Sequence, residues 1–179
     1  MADKRLSDKM EKALNAQMTR EAFQAQVYLA YASWAEVNGY PGISDFLYKH
    51  SVEERQHMFK FLKYINNRGG ETKIEALDAP SVAPKDMRDC LQGAFDHELS
   101  NSKSIYDLVD MAHEEKDWAT FNFLQWFVKE QIEEETLISD LLDRYTLAAN
   151  KKNEADLYTL DRDTASAMQE ATVPREESL

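Results

Sequence analysis

Glycine and proline interrupt regular structure more reliably than any other residues, and here they are sparse and clustered. The 179 residues contain five Gly and four Pro. Gly39, Pro41 and Gly42 fall at one point, Gly69 and Gly70 at a second, and Pro80 and Pro84 at a third. Gly93 alone lies inside a helical pattern, and Pro174 lies near the end. The long stretches between these breaks favour helices over strands. The spacing predicts helices near 5–37, 43–68, 85–114 and 118–148, with a short fifth near 154–164. Pro84 suits the first turn of the third helix, where a missing N–H costs nothing. Asp117 and Asn153 suit the N-caps of the fourth and fifth. Residues 165–179 read as a polar, frayed tail, which divides the chain into a bundle over 1–164 and a tail over 165–179.

The first-to-second and third-to-fourth connections are short, so each pair should be antiparallel. The connection from about Gly69 to Ala83 is long for a bundle loop. Fifteen extended residues span roughly 50 Å, and the second helix is about 40 Å long. The loop can therefore return along the whole bundle and start the third helix parallel to the second. The expected architecture is an all-α four-helix bundle with one long crossover and a short fifth helix.

Composition excludes several alternatives. A hydrophobic content of 43% supplies a core. No apolar run approaches the eighteen or so residues of a membrane span, so no membrane partner is expected. The charged opening MADKRLSDKMEK lacks the apolar core of a signal peptide. One cysteine, Cys90, allows no internal disulfide or cysteine-cluster metal site; it reads as a small packed residue, and a cytoplasmic location is expected. A formal net charge of -12, with 33 acidic against 21 basic residues, disfavours a nucleic-acid partner and favours cations.

The apolar stripes of the four long helices contain charges where burial should exclude them. At alternating steps of three and four, the first runs Leu14, Met18, Glu21, Ala25, Tyr28, Ala32. The second runs Leu47, His50, Glu54, His57, Phe61; the third Leu91, Ala94, Glu98, Asn101, Ile105; the fourth Leu124, Phe127, Gln131, Glu134, Ile138. Each stripe holds a glutamate near its middle. Glu98 lies about seventeen residues before the turn at Glu115–Lys116 and Glu134 about eighteen after it, which puts them nearly opposite. Glu21 and Glu54 match less well, with a difference of about five residues, or about 7 Å, in their distances from the Gly39–Gly42 turn. Two bare carboxylates 4 Å apart repel by about 4 kcal/mol at an effective dielectric of 20, and desolvation adds several kcal/mol per ion. Four can coexist in a core only if protonated, hydrogen-bonded or neutralised by cations. A metal site is the better account, with a protonated polar network the alternative.

Glu54 and His57 form Glu-x-x-His, whose members face the same way on a helix and can bind one ion. His50, one turn earlier, reads as a hydrogen-bonded core histidine. Carboxylate-dominated ligation with one imidazole and no thiolate suits iron or manganese better than structural zinc. Glu53, Glu130 and Glu133 can form a second acidic group beside the first, although by pattern alone QIEEE is more simply a solvated face. Tyr28 can donate a hydrogen bond to a ligand glutamate, or supply an electron, or simply pack. Trp126 reads as packing.

These segments resemble the bacterial non-haem ferritins of the ferritin-like di-iron family. The resemblance spans essentially 6–164 and rests on LNAQM followed by Glu21 and Tyr28, HSVEERQHM, DHEL, TFNFLQWFVKEQIEEE and DLYTLDRD. It implies a ferroxidase centre in which Glu21, Glu54 and His57 match the first iron site, with Glu54 bridging. Glu98 and Glu134 match the second, Gln131 the nearby glutamine and Tyr28 the site tyrosine. Glu53, Glu130 and Glu133 match a third, adjacent iron site, which reverses the pattern-only reading of that cluster. Relatives with a second Glu-x-x-His are set apart: three residues after Glu134 stands Leu137, and three after Glu130 stands Glu133. The position of a haem-ligating methionine is Arg55, so no haem is expected.

The function that the resemblance implies is iron storage. Fe(II) is oxidised by oxygen or hydrogen peroxide and kept as ferric oxo-hydroxide mineral inside a homo-oligomeric cage of about 24 subunits, with the fifth helix at the four-fold axis. The alternative is a small di-iron or di-manganese oxidase or peroxidase that stores nothing.

Overall fold

A computed structural model describes residues 3–150 and 154–170. It contains the helices α1 (Asp8–Val37), α2 (Pro41–Asn67), α3 (Met87–Glu114), α4 (Trp118–Asn150) and α5 (Glu154–Glu170), and no strand among the described residues. The expected all-α bundle with a crossover and a fifth helix is the one observed. α1 packs on α2 and α3, α3 on α4, and α5 against α2 and α4.

Local chemistry sets the ends. Ser7 caps α1 by accepting from Met10 N, and Asp86 caps α3 by accepting from Asp89 N. Pro84 therefore lies before α3 and not in its first turn: Asp86 takes the capping position, and the helix begins at Met87. Asp117 caps α4 as expected; its Oδ1 accepts from Thr120 N at 3.1 Å and its Oδ2 from the Thr120 hydroxyl at 2.6 Å. The expected cap at Asn153 lies outside the described residues. The fifth helix runs to Glu170, past the expected end at 164, because no Gly or Pro interrupts it there.

The crossover does return along the bundle. Its start is tied at one end, where Arg5 N donates to Arg68 O at 2.9 Å and Arg68 reaches Asp117. It is pinned to the side of α1 by Asn15, whose amide donates to Glu71 O and whose Oδ1 accepts from Lys73 N. At the far end Met87, opening α3, packs with Ala35 and Ile43. α2 and α3 therefore begin at the same end and run parallel.

Two glycines are required by close approach. A Cβ on Gly42 would lie 1.9 Å from Asp161 O, because α5 crosses the start of α2 there. Asp161 then serves as a remote cap, accepting from Gly42 N at 3.0 Å and Ile43 N at 2.9 Å. A Cβ on Gly93 would lie 2.1 Å from the Tyr31 hydroxyl, which explains a glycine inside α3.

The core is split. One apolar cluster, with Tyr28, Ile43, Leu47, Leu91, Ile138 and Leu160, fills the end nearer α5. A second, with Met10, Leu14, Phe61, Ile65, Ile105 and Phe127, fills the other end. Between them lies a buried polar layer.

Candidate metal centre

The layer is built from the charged positions of the four stripes. Glu21, Glu54, Glu98 and Glu134 are 0–2% exposed, and His50 and His57 are 3% exposed. Nothing in the apolar clusters above and below can solvate them, so each must find a partner within the layer or remain under-satisfied.

Glu21, Glu54 and His57 offer one ligand atom each within 4.8 Å of one another. His57 Nδ1 stands 3.4 Å from Glu54 Oε2 and 3.8 Å from Glu21 Oε2. Glu21 Oε2, Glu54 Oε2 and His57 Nδ1 are all buried without a hydrogen bond. The uneven levels of Glu21 and Glu54 do not keep them apart, since His57 lies three residues further along α2 and makes up most of the offset. Glu21 Oε1, by contrast, accepts from Gln17 at 2.6 Å.

Glu98 is differently placed. Its Oε1 accepts from the Tyr28 hydroxyl and, at 2.8 Å, from Gln24; its Oε2 accepts from Gln131 at 3.1 Å. Gln131 is itself held by Asn101, which donates to its Oε1 at 3.1 Å, and Gln17 donates to Asn101 Oδ1 at 2.7 Å. Glu134 offers its carboxylate to two further groups, one with His50 and Glu53 and one with His57 and Glu130. Of the expected outer acidic set, Glu53 thus joins His50, and Glu130 joins His57, whose Nε2 is 3.9 Å from Glu130 Oε1. Glu133 enters none of the three groups; it is half-exposed, with its carboxylate 3.9 Å from Lys129 Nζ.

The protonation equilibria show the strain of this crowding. Burial and the neighbouring Glu21 charge push the Glu54 carboxyl well above the usual range. Burial and the Glu134 charge push Glu98 up, although Tyr28, Gln131 and Gln24 oppose the rise. Burial also raises Glu21, but the close approach of His57 and Glu54 and the hydrogen bond from Gln17 outweigh it and bring the carboxyl below its ordinary value. Burial lowers both histidines, yet the carboxylates win: Glu21 and Glu54 raise His57 well above 6.5, and Glu134 raises His50 to about 9. In the absence of metal the layer thus gathers protons in place of cations. A soft thiol has no part in it, since Cys90 is buried and burial pushes it up to about 12.

The sequence pattern of the ferritin-like domain matches residues 11–148. The chain belongs to the ferritin family. Among curated ferritins it is 37% identical over 158 residues to a probable bacterial non-heme ferritin-like protein of Haemophilus influenzae, covering 88% of this chain and 94% of that one. It is 35% identical to the bacterial non-heme ferritin of Campylobacter jejuni, over 88% of this chain and 93% of the relative. Among solved ferritin structures, an open-pore ferritin from Archaeoglobus fulgidus superposes with a TM-score of 0.87 at 34% identity, covering 90% of this chain and 97% of that one. This ferritin thus shares both its bundle and its buried carboxylate layer with the expectation drawn from its stripes, and iron oxidation with storage is the function these likenesses support.

Three features of the site have little sequence signal. His50 is hydrogen-bonded through Nδ1 to the Phe46 carbonyl, as expected of a core histidine, but its pairing through Nε2 with Glu134 at 3.0 Å has no sequence signal. Gln17 and Gln24 are uncharged helix residues whose only hint is spacing, four before Glu21 and four before Tyr28. Asn101 sits in a stripe but is too ordinary there to stand out.

Proposed function

We propose that the protein oxidises two Fe(II) ions at once inside each bundle and stores the product as ferric mineral. In this reading Glu21, Glu54 and His57 bind one iron, and Glu54, Glu98 and Glu134 bind the other, with Glu54 bridging. The observation that carries it is the group Glu21, Glu54 and His57, buried with three donor atoms that no protein hydrogen bond satisfies. A divalent cation answers that deficit, and metal binding releases the protons held by Glu54 and His57.

Each Fe(II) gives up one electron. Dioxygen takes the pair, with two protons, to become hydrogen peroxide; or hydrogen peroxide takes it, with two protons, to become two waters. Hard carboxylate oxygens favour the harder Fe(III), and a bridging carboxylate holds the two metals close enough for a two-electron step. Tyr28, Gln24 and Gln131 fix Glu98 in one orientation while the metals change charge. The outer carboxylates Glu53, Glu130 and Glu133 draw a third iron beside the pair. Iron is substrate and cargo here, and no haem is required.

The rest of the reading follows from family membership. The cage is a closed homo-oligomer of about 24 chains, with α5 at its four-fold axis, in the cytoplasm. No described helix is long and apolar enough to cross a membrane. The segment beyond 164 is not part of the oxidising machinery, and truncation after Asp163 is expected to leave oxidation intact.

The test is Glu54→Ala. Stopped-flow absorbance of Fe(II) oxidation should fall by at least about 100-fold, since even residues that merely orient ligands cost 10–100-fold. An unchanged rate would overturn the proposed centre.

A further inference from the structure

We infer that Gln17 is a positioning residue of the first iron site: it holds Glu21 Oε1 away from the metal, so that Glu21 takes iron through Oε2 alone. The inference rests on the proposed function, because it concerns how one of the proposed ligands is presented. Gln17 and Glu21 stand four residues apart on α1 and share a face. Gln17 is 2% exposed. Its Nε2 uses both hydrogens, donating to Glu21 Oε1 at 2.6 Å and to Asn101 Oδ1 at 2.7 Å. Its Oε1 accepts from the Ser104 hydroxyl at 2.6 Å.

The Gln17 amide cannot turn over. Asn101 donates to Gln131 Oε1 at 3.1 Å, and Gln131 donates to Glu98 Oε2 at 3.1 Å. Gln17, Asn101 and Gln131 thus form a chain of amides that crosses the bundle from Glu21 to Glu98. A carboxylate accepts and an amide NH2 donates, so both ends demand the same sense. Glu98 takes the NH2 of Gln131, which turns the Gln131 oxygen to the NH2 of Asn101 and the Asn101 oxygen to the NH2 of Gln17. Glu21 calls for that same NH2 from the other side. Reversing any one amide would set oxygen against oxygen or NH2 against NH2. Amides carry no charge, so the chain keeps its sense when iron arrives.

The two oxygens of Glu21 therefore face different partners. Oε1 lies against Gln17 and, at 3.4 Å, Asn101 Nδ2. Oε2 is buried without a hydrogen bond, in the group with Glu54 and His57. To chelate one ion with both oxygens, Glu21 would have to swing Oε1 off Gln17 and strand a buried amide hydrogen, which is costly. A carboxylate limited to one oxygen leaves a position open at the first iron. Open positions distinguish catalytic metal sites from closed structural ones, and the oxidant can use this one. Asn101 and Ser104 act one step further out, by fixing Gln17.

The experiment is Gln17→Leu, which keeps most of the bulk and removes the donor. Metal-free assembled protein is titrated anaerobically with Co(II), read by the visible absorption of bound cobalt, and Fe(II) oxidation is followed by stopped flow. With Oε1 released, Glu21 closes on the ion through both oxygens. The variant should bind as many Co(II) per chain as the wild type, the first about 10-fold more tightly, and should oxidise Fe(II) about 10-fold more slowly. Its absorption per cobalt should be weaker, because the coordination number rises. A residue that served only the fold would weaken binding when lost, so weaker or unchanged binding by the variant overturns the proposal. Wild-type crystals soaked in Co(II) guard against a misfolded variant. Glu21 Oε2 is expected about 2.1 Å from the ion, with Oε1 still hydrogen-bonded to Gln17. Both oxygens on the ion would overturn the proposal and leave the di-iron reading standing. No ion beside Glu21, Glu54 and His57 would overturn the di-iron reading, and the proposal with it.

Discussion

Glu54 and Glu98 occupy equivalent places in their helices, one mid-stripe carboxylate each, yet their surroundings are opposite. Glu54 Oε2 is buried with no hydrogen bond, beside the equally unsatisfied Glu21 Oε2. Both oxygens of Glu98 are taken, by Tyr28 and Gln24 on one side and Gln131 on the other. The difference teaches how a small bundle can keep a binding site in its middle. Glu21 of α1 and Glu54 and His57 of α2 together hold an unmet demand for positive charge, whereas Glu98 of α3 is already held in place by donors from α1 and α4. Two apolar clusters, one at each end, hold the layer together.

The comparison breaks first on stability. Glu54→Gln removes a carboxyl that burial and the Glu21 charge make costly to ionise, and should stabilise the metal-free protein by about 1–3 kcal/mol towards alkaline pH, where that carboxyl must give up its proton. Glu98→Gln should destabilise it by about 1 kcal/mol, because the new NH2 must face a donor unless Gln131 turns and loses its bond from Asn101. Denaturant midpoints of the two metal-free variants check this; shifts of the same sign would contradict the contrast.

Acidity sharpens it next. Glu54, Glu98, His50 and His57 all have folded values raised above their ordinary ones. Each such group contributes stability that is complete below its unfolded pKa and lost as pH rises through the folded one. For His50 that window runs from about 6.5 to about 9. Glu21, lowered, acts oppositely and matters only at acid pH. The melting temperature of the metal-free protein should therefore fall between these limits, and saturating anaerobic Fe(II) should flatten the fall by replacing the protons. Calorimetry with and without metal tests the sign; a metal-free melting temperature that rises over this range would refute it.

The smallest effect is expected at Tyr28. Tyr28→Phe leaves Glu98 with Gln24 and Gln131 as donors, so Fe(II) oxidation should slow by about 10-fold or less. A loss as large as that of Glu54→Ala, measured in the same stopped-flow assay, would mean that the hydroxyl does more than orient a ligand.

What the sequence discloses and what it hides divide along physical lines. The helices follow from the positions of a few glycines and prolines, and the buried glutamates from the 3.6-residue period, because charges on apolar stripes are conspicuous. Pro84 and the end of α5 are less readable, since Asp86 competes for the cap and nothing local stops a helix after 164. The Asp161 cap on α2 is tertiary and leaves no local mark. Spacing alone places Glu53, Glu130 and Glu133 together, but rotation around α4 sends Glu130 toward His57 and leaves Glu133 half-exposed. Which partners a core histidine takes depends on both ring nitrogens, and only the structure shows His50 between the Phe46 carbonyl at Nδ1 and Glu134 at Nε2, each 3.0 Å away.

The central claim, oxidation at the buried layer followed by storage, is tested most directly by loading metal-free protein aerobically with excess Fe(II) and measuring iron and protein across a sizing column. The account predicts a very large particle with far more iron than its carboxylate sites can ligate. A small particle with iron in simple ratio to the chain would contradict storage and identify a di-metal oxidase instead.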